Sequence, residues 1–173
     1  LAELALGPLT NSGGSTATFG LLPASSAINA ADNLSCPTTD QRGTARPQGT
    51  QCDVGAFESK ISFSLVPASV AFTSQLIGTT SAPQSVILTN TGEANLILGT
   101  LSVTGEFAMI NNTCNGQTII PGGTCSFNVT FSPLTAAAKT GSVSIPSNIA
   151  SSPTALPLTG TGYSAVQLLK APT

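Results

Sequence analysis

Histidine and tryptophan are both absent from this chain of 173 residues, and tyrosine occurs once. Histidine is the side chain that most often moves protons in catalysis, so its absence argues against general acid–base chemistry. Aromatic side chains that bind ligands at a protein surface are usually Trp or Tyr, because each of these keeps a polar group. The aromatic composition is therefore unfavourable for a carbohydrate-binding module.

Charged side chains are also scarce, at 7% of the residues against about 25% in an ordinary soluble domain. Five residues are basic, and the formal net charge is −2. Nucleic acids and anionic membrane surfaces both require clustered Lys and Arg, so we expect neither of them among the partners. No run of 18 apolar residues occurs, and we therefore expect no membrane span.

Gly, Pro, Ser, Thr and Asn take the place of the missing charged residues. Thr and Val favour strands, whereas Gly, Pro, Asn and Ser interrupt them, and this combination is typical of turn-rich extracellular β proteins. Helical periodicity does not extend beyond about two turns anywhere in the chain. The composition therefore predicts an all-β protein.

The chain has four cysteines, at Cys36, Cys52, Cys114 and Cys125. Zinc sites need closely spaced cysteine pairs or histidines, which this sequence does not provide. A low-charge, β-rich chain with four cysteines favours disulfides instead. Three connectivities are possible, of which local pairing, Cys36–Cys52 and Cys114–Cys125, is the simplest. Disulfide bonds in turn predict an oxidising compartment outside the cell.

The sequence contains only incomplete matches to cofactor-binding and metal-binding motifs. Gly13-Gly14-Ser15 lacks the lysine of a phosphate-binding loop. Asp32, Asp40 and Asp53 do not show the Asp-x-Asp spacing of a calcium loop. We therefore expect no cofactor and no bound metal.

Charge is concentrated in residues 36–58, which hold five of the twelve formal charges and two of the four cysteines. The cysteines at the two sides of this stretch suggest a closed loop around its ions. An arginine whose guanidinium binds a carboxylate can hold irregular backbone in place. We therefore predict a structural ion network formed by Asp40, Arg42, Arg46 and Asp53. The alternative interpretation is a catalytic pair of carboxylates.

The same stretch contains the motifs Asp40-Gln41-Arg42-Gly43 and Cys52-Asp53-Val54-Gly55-Ala56-Phe57-Glu58. With residues 4–30 and Arg46-Pro47, these motifs resemble the C-terminal end of a choice-of-anchor Q type parallel β-helix. The resemblance covers about residues 1–58 and implies the last coils and cap of a right-handed parallel β-helix in a secreted bacterial surface protein. It departs from the family pattern at Ala24–Ala31. Because the first residues already match the middle of a motif, we expect the chain to be a fragment of a longer protein.

From residue 61 onward the sequence consists of short segments with alternating polarity. Phe127, Val129 and Phe131 lie on one face of a strand, because successive side chains in a strand point to opposite sides. The same alternation recurs in other segments, which predicts further core residues at Phe63, Leu65, Val86, Leu88, Val143 and Ile145. Short strands that recur roughly every 8–12 residues with turns between them predict an all-β sandwich.

Motifs in residues 62–162 resemble the choice-of-anchor D family of immunoglobulin-like sandwiches. They include Leu88-Thr89-Asn90-Thr91-Gly92, Ile120-Pro121-Gly122-Gly123-Thr124-Cys125 and Leu158-Thr159-Gly160-Thr161-Gly162. The resemblance implies an extracellular, often tandem arrangement and no activity, and the family often has a disulfide where Cys114 and Cys125 stand.

We therefore predict three parts: the β-helix end over residues 1–60, the immunoglobulin-like sandwich over 61–163, and residues 164–173 as a tail or the start of a next domain. The tail contains the apolar stretch Ala165–Leu169. This stretch either opens another domain or is a strand offered to a neighbouring chain, since an extended apolar segment can complete another chain's sheet.

Together these features predict a non-enzymatic structural or adhesive module, outside the cell or at the bacterial cell surface, that can assemble into filaments through strand edges. The expected partners are other domains of the same polypeptide or copies of the chain itself, and surface glycans are a further candidate. One alternative is the C-terminal part of a β-helical polysaccharide-active enzyme, which would need two carboxylates about 5–10 Å apart across a groove. Asp40 and Asp53 are the residues available for that role. The other alternative is a carbohydrate-binding module.

Overall fold

The computed structural model describes residues 3–165, in which β-strands are connected by turns and irregular segments. None of these residues belongs to a helix long and apolar enough to cross a membrane. The strands are, in chain order, β1 (Leu6–Thr10), β2 (Thr18–Leu21), β3 (Phe63–Val66), β4 (Val70–Ala71), β5 (Gln75–Leu76), β6 (Gln84–Asn90), β7 (Leu96–Ile97), β8 (Ser102–Val103), β9 (Phe107–Ile110), β10 (Thr118–Ile119), β11 (Thr124–Phe131), β12 (Ala138–Ile145) and β13 (Thr154–Tyr163).

The strands between Phe63 and Tyr163 form a sandwich of two sheets. One sheet has the strand order β3-β6-β11-β9, and the other has the order β4-β13-β12-β8, with β5 as an additional partner of β13. Most of the pairs are antiparallel, whereas β4 and β5 run parallel to β13. In sequence order these are the ABED and GFC sheets of an immunoglobulin domain, with the first strand divided between the two sheets. The predicted immunoglobulin-like sandwich is confirmed.

The core lies between the two sheets and follows the predicted alternation. Phe127, Val129 and Phe131 on β11 are fully buried. The neighbouring strand β6 contributes Val86 and Leu88, and β12 of the facing sheet contributes Val143 and Ile145, all of which are also fully buried. Phe63 and Leu65 pack against this core but are only half-buried, because β3 is at the edge of its sheet.

Three phenylalanine rings fill one end of the core. The ring of Phe131 lies 4.9 Å from that of Phe107 and 5.8 Å from that of Phe72, measured between centroids. Gly160 on β13 makes room for this arrangement, because a Cβ atom there would come within 2.9 Å of three atoms of the Phe131 ring. Aromatic rings carry the largest apolar areas in a core, so this cluster ties the two sheets together.

Residues 3–60, here called the N-terminal segment, contain one strand ladder, the antiparallel pair β1–β2. The rest of the segment is irregular, apart from an isolated bridge between Thr39 and Ala45. A small apolar cluster of Leu21, Ala27 and Phe57 lies beneath the hairpin. Coils of a parallel β-helix, which the sequence resemblance implies for this segment, are not shown among the described residues.

The N-terminal segment is attached to the sandwich by backbone hydrogen bonds. The carbonyl oxygen of Lys60 accepts from Glu93 N at 2.7 Å and from Ala94 N at 3.3 Å. Gly92 permits this close approach, because a Cβ atom there would lie 2.5 Å from the Lys60 oxygen. A further bridge joins Gly49 to Ile149. Residues 164–173 were predicted to be a tail or the start of another domain, and residues 166–173 lie outside the described residues.

The aromatic cluster generates a stability prediction. Substitution Phe131→Ala should lower the free energy of unfolding by about 3–5 kcal/mol, because it removes a fully buried ring and leaves a cavity between two sheets. Substitution Leu134→Ala is the control, since Leu134 is 73% exposed, and we expect a change within about 0.5 kcal/mol. Urea denaturation of both variants measures the difference, and equal losses would contradict the assignment of the core.

Candidate functional site

Charged side chains are gathered in the interior of the N-terminal segment, in what we call the buried charge cluster: Asp40, Arg42, Arg46, Asp53 and Glu58. The side chains of Asp40 and Glu58 have no exposed surface, and those of Arg42 and Arg46 are 12% and 4% exposed. Asp53 is 1% exposed. Burying ions is costly unless each one is paired and hydrogen-bonded, so the partners of each group decide what the cluster does.

Asp40 uses both carboxylate oxygens to organise its own turn. Oδ1 accepts from Arg42 N at 2.8 Å and from Thr44 N at 2.9 Å. Oδ2 accepts from Arg42 Nε at 2.8 Å and from Glu58 N at 3.0 Å. Burial raises the pKa of Asp40, but the hydrogen bonds from Glu58, Arg42 and Thr44 together outweigh burial and hold the pKa below its ordinary value. Asp40 and Arg42 therefore form the predicted ion pair.

The carboxylate of Asp53 was expected to neutralise an arginine, but it binds backbone N–H groups instead. Its Oδ1 accepts from Asn29 N at 2.8 Å, and its Oδ2 accepts from Ser59 N at 2.6 Å. Arginine reaches this residue through its backbone, where Arg46 Nη1 donates to the carbonyl oxygen at 3.1 Å. The prediction of a carboxylate–arginine pair at Asp53 is therefore replaced by a carboxylate that caps two backbone N–H groups.

Glu58 is the carboxylate beside Arg46, and the sequence prediction omitted it. Oε1 accepts from Gln48 N at 2.8 Å, and Oε2 accepts from Asp53 N at 2.9 Å. Arg46 Nε lies 3.5 Å from Oε2, as an ion pair without hydrogen-bond geometry. The sequence feature that could have indicated Glu58 is its position at the end of the Cys52–Glu58 motif. Asp53 and Glu58 are the two charged residues of that motif.

Arg42 connects the cluster to its surroundings. Its Nη2 donates to the carbonyl oxygen of Glu58, and its guanidinium carbon lies 3.6 Å from the centroid of the Phe57 ring. A cation stacked on an aromatic face in this way gains further stabilisation. Nη1 also lies 3.9 Å from Glu93 Oε1 in the sandwich, so this one side chain contacts both parts of the molecule.

The contacts leave little room for chemistry at the buried charge cluster. Every carboxylate oxygen of its three acidic residues accepts at least one hydrogen bond from a backbone N–H group. Together these oxygens accept seven such bonds. A catalytic carboxylate must be within reach of a substrate, whereas these are sealed from solvent. The cluster supplies the backbone hydrogen bonds that strands supply elsewhere in the fold.

Both predicted disulfides are present. Cys36–Cys52 closes the loop that contains Asp40 and Arg46 and joins residues 16 apart in sequence, and Cys114–Cys125 joins residues 11 apart at the start of β11. Neither one is the bond between the two sheets that is typical of antibody domains. In residues 3–165, no group of three or more His, Cys, Asp or Glu is placed to hold a metal ion.

Apolar side chains are exposed on one side of the β1–β2 hairpin. This apolar hairpin face consists of Leu4, Leu6, Leu9, Phe19 and Val54, and Leu4, Leu9, Phe19 and Val54 are at least half exposed. They line an open groove with a volume of about 420 Å³. A two-stranded hairpin is marginally stable by itself, and exposed apolar patches of this kind mark interaction surfaces.

The contacts of the buried charge cluster predict that removal of one cation, Arg42, lowers stability strongly. Substitution Arg42→Ala should destabilise the N-terminal segment by about 3 kcal/mol, because it leaves the buried carboxylate of Asp40 without its cation. Substitution Lys139→Ala removes the cation of the more exposed pair with Glu106, and we expect a much smaller fall in melting temperature. Differential scanning calorimetry compares the two. An unchanged melting curve for Arg42→Ala would show that the cluster does not have a structural role.

The lowered pKa of Asp40 predicts a loss of stability in acid. Because the folded pKa is below the ordinary value of 3.8, the stabilisation is complete above that pH and disappears as the pH falls through the folded pKa. Substitution Asp40→Asn should therefore give a less stable protein whose free energy of unfolding changes less between about pH 5 and pH 2 than that of the parent chain. Urea denaturation across this range measures both slopes, and identical slopes would contradict the assignment.

Comparisons with known proteins give a limited result. No family model matches the chain, and no curated protein matches it. Among solved structures, the secreted serine protease VesC from Vibrio cholerae is 18% identical, with a TM-score of 0.47 over 59% of this chain and 23% of that one. A protein of unknown function from Porphyromonas gingivalis W83 is 17% identical, with a TM-score of 0.47 over 58% of this chain and 46% of that one. The PapD-like domain 7 of human CEP192 is 14% identical, with a TM-score of 0.47 over 70% of this chain and 92% of that one. The chain thus spans less than half the length of the first two structures, and no functional conclusion follows from TM-scores below 0.5.

Proposed function

We propose that this chain is a non-enzymatic structural module of a secreted or cell-surface bacterial protein. In this proposal the N-terminal segment closes the end of a longer β structure, and the immunoglobulin-like sandwich is a spacer that joins neighbours through strand edges. Other domains of the same polypeptide and copies of the chain are the partners.

The observation that carries the proposal is the use of the buried charge cluster. The carboxylate oxygens of its three acidic residues accept hydrogen bonds from backbone N–H groups. Its two arginines donate to backbone carbonyl oxygens, those of Glu58, Asp53 and Gly55. The chain has few other ions from which an active site could be built. Such a site for polysaccharide hydrolysis needs two accessible carboxylates on opposite sides of a groove, and these three are buried.

The two disulfides support a location outside the cell. Disulfides form and persist in oxidising compartments and are rare in the cytosol. Cys52 and Cys114 are both completely buried, which is typical of bonds that stabilise a fold rather than of exposed, reactive thiols.

The apolar hairpin face supports the idea that the N-terminal segment lies against further β structure. An upstream coil stacked on β1 and β2 would bury Leu6, Leu9 and Phe19, which are exposed here. The resemblance of residues 1–58 to the end of a parallel β-helix implies the same neighbour. This part of the proposal depends on that resemblance and on the exposed face together.

Assays of the purified chain test the non-enzymatic role. We expect no release of reducing ends from a panel of plant and bacterial polysaccharides, and no retention on a glycan array. Any turnover found should be repeated with the folded variants Asp53→Asn and Leu134→Ala. Turnover that is lost in Asp53→Asn but kept in Leu134→Ala would identify a catalytic carboxylate and overturn the proposal. Saturable binding of one glycan would favour the carbohydrate-binding alternative instead.

A further inference from the structure

An open groove separates the two sheets of the sandwich at one edge, between β3 and the first residues of β13. Its volume is about 530 Å³. The residues that line it are uncharged, and the strands contribute Phe63, Leu65, Thr154 and Ala155 to its walls. The loops around Gln48 and Ile149 also line it. An apolar groove bounded by two strands is suited to a third strand rather than to a small polar ligand.

The edge of β3 that faces this groove has free backbone groups. Thr91 N donates to Ser62 O across the β3–β6 ladder. Because backbone groups alternate in direction along a strand, those of Ser62 and Ser64 face β6 while those of Phe63 and Leu65 face the groove. Among the described residues, β6 is the partner of β3 and no other strand pairs with it. Two N–H and two C=O groups are therefore available.

The opposite wall is also incomplete. β4 pairs with β13 from Leu158 onward, and Phe72 N donates to Thr159 O on that side. By the same alternation, the backbone N–H and C=O of Ala155 point away from β12 and toward the groove. No strand among residues 3–165 pairs with this part of β13. The sandwich thus leaves a slot about four residues long, the length of β3.

An occupant of this slot must be a short, uncharged segment with apolar side chains. The sequence Val166-Gln167-Leu168-Leu169 has these properties, and it lies outside the described residues. It follows Ala165, which comes just after the far end of β13. β13 runs for eight residues from Ala155 to its end at Tyr163, a distance of about 26 Å. The six residues from Ser164 to Leu169 cover at most about 22 Å, which is too short to bring Val166–Leu169 into the groove of the same molecule.

We propose that the groove between β3 and β13 binds Val166–Leu169 of a second copy of the chain as an added strand. The strand pairs with the free edge of β3 and places its apolar side chains against Phe63 and Leu65. Addition of an extended segment to an exposed sheet edge is an established mode of peptide recognition, in which main-chain bonds give affinity and side-chain pockets give specificity. The inference rests on the proposed structural role and names its partner.

The geometry of this contact has a consequence for assembly. The groove is at the first residues of β13 and the chain continues into the tail after the last residue of β13, so each copy offers one donor and one acceptor at different places. Such head-to-tail contacts are heterologous and form open chains unless the rotation between copies closes a ring. The proposal therefore predicts assembly whose length rises with protein concentration.

Peptide binding tests the contact directly. The receptor is the full chain with Leu168→Glu, so that its own tails do not compete, and the probe is a fluorescent peptide of residues 164–173. We expect saturable binding by anisotropy, and a peptide that carries Leu168→Glu should bind about ten- to a hundredfold more weakly, because one buried leucine is lost. No saturation of the unaltered peptide by about 1 mM receptor would overturn the proposal.

Charge variants of the full chain test assembly. Ala155→Lys places a cation at the groove and should weaken self-association, as should Leu168→Glu in the tail. The double variant should recover association, because the two charges are then complementary. Ala138→Lys, at an exposed position on β12 outside the groove, is the matched control and should associate like the parent chain. Sedimentation velocity over a concentration series measures all four.

The outcomes separate this inference from the proposed function. Undiminished association of Leu168→Glu, or association lost instead in Leu9→Gln at the apolar hairpin face, would overturn the tail–groove contact and leave the structural role in place. Polysaccharide turnover would overturn the structural role, whereas the peptide measurement would still decide the contact.

Discussion

Buried backbone N–H and C=O groups must be hydrogen-bonded, and this requirement shapes the N-terminal segment more than apolar packing does. The segment has one short hairpin and a small apolar cluster of Leu21, Ala27 and Phe57. Outside this hairpin, the described residues of the segment lack the strand ladders that satisfy backbone groups in the sandwich. Three carboxylates and two arginines fill this role, at the cost of taking five ions out of water. That cost is tolerable because each charge has several partners within hydrogen-bond distance.

The position of the cluster also determines how the two parts of the molecule are joined. Arg42 stacks on Phe57, donates to Glu58 O and approaches Glu93 of the sandwich. Glu93 in turn accepts from Lys60 N at 3.1 Å and donates its own N–H to Lys60 O. Lys60, the last residue of the N-terminal segment, is thus hydrogen-bonded to Glu93 through both its backbone N–H and its C=O group. The link to β3, which begins at Phe63, is short and fixed at each end.

The sandwich is stabilised in the ordinary way, by two apolar sheet faces and the Phe72, Phe107 and Phe131 rings between them. One polar residue of the core, Asn90, is fully satisfied. Its Nδ2 donates to Ala94 O and Ile119 O, and its Oδ1 accepts from Gly92 N. Asn90 thereby holds the turn that receives Lys60. The open edge between β3 and β13 is part of this same domain.

The sequence by itself determined the all-β class, the sandwich core and the residues that supply the disulfides. Period-2 alternation in Phe127–Phe131 needs no long-range information, because it follows from the geometry of a single strand. Local pairing of Cys36–Cys52 and Cys114–Cys125 was likewise the simplest connectivity, although spacing alone left two others open. Tertiary structure decided which carboxylate meets which donor. Glu58 beside Arg46, Asp53 on two backbone N–H groups, and the division of the first sandwich strand into β3 and β4 all depend on how distant loops and edges meet in space, and residue type alone carries no such information.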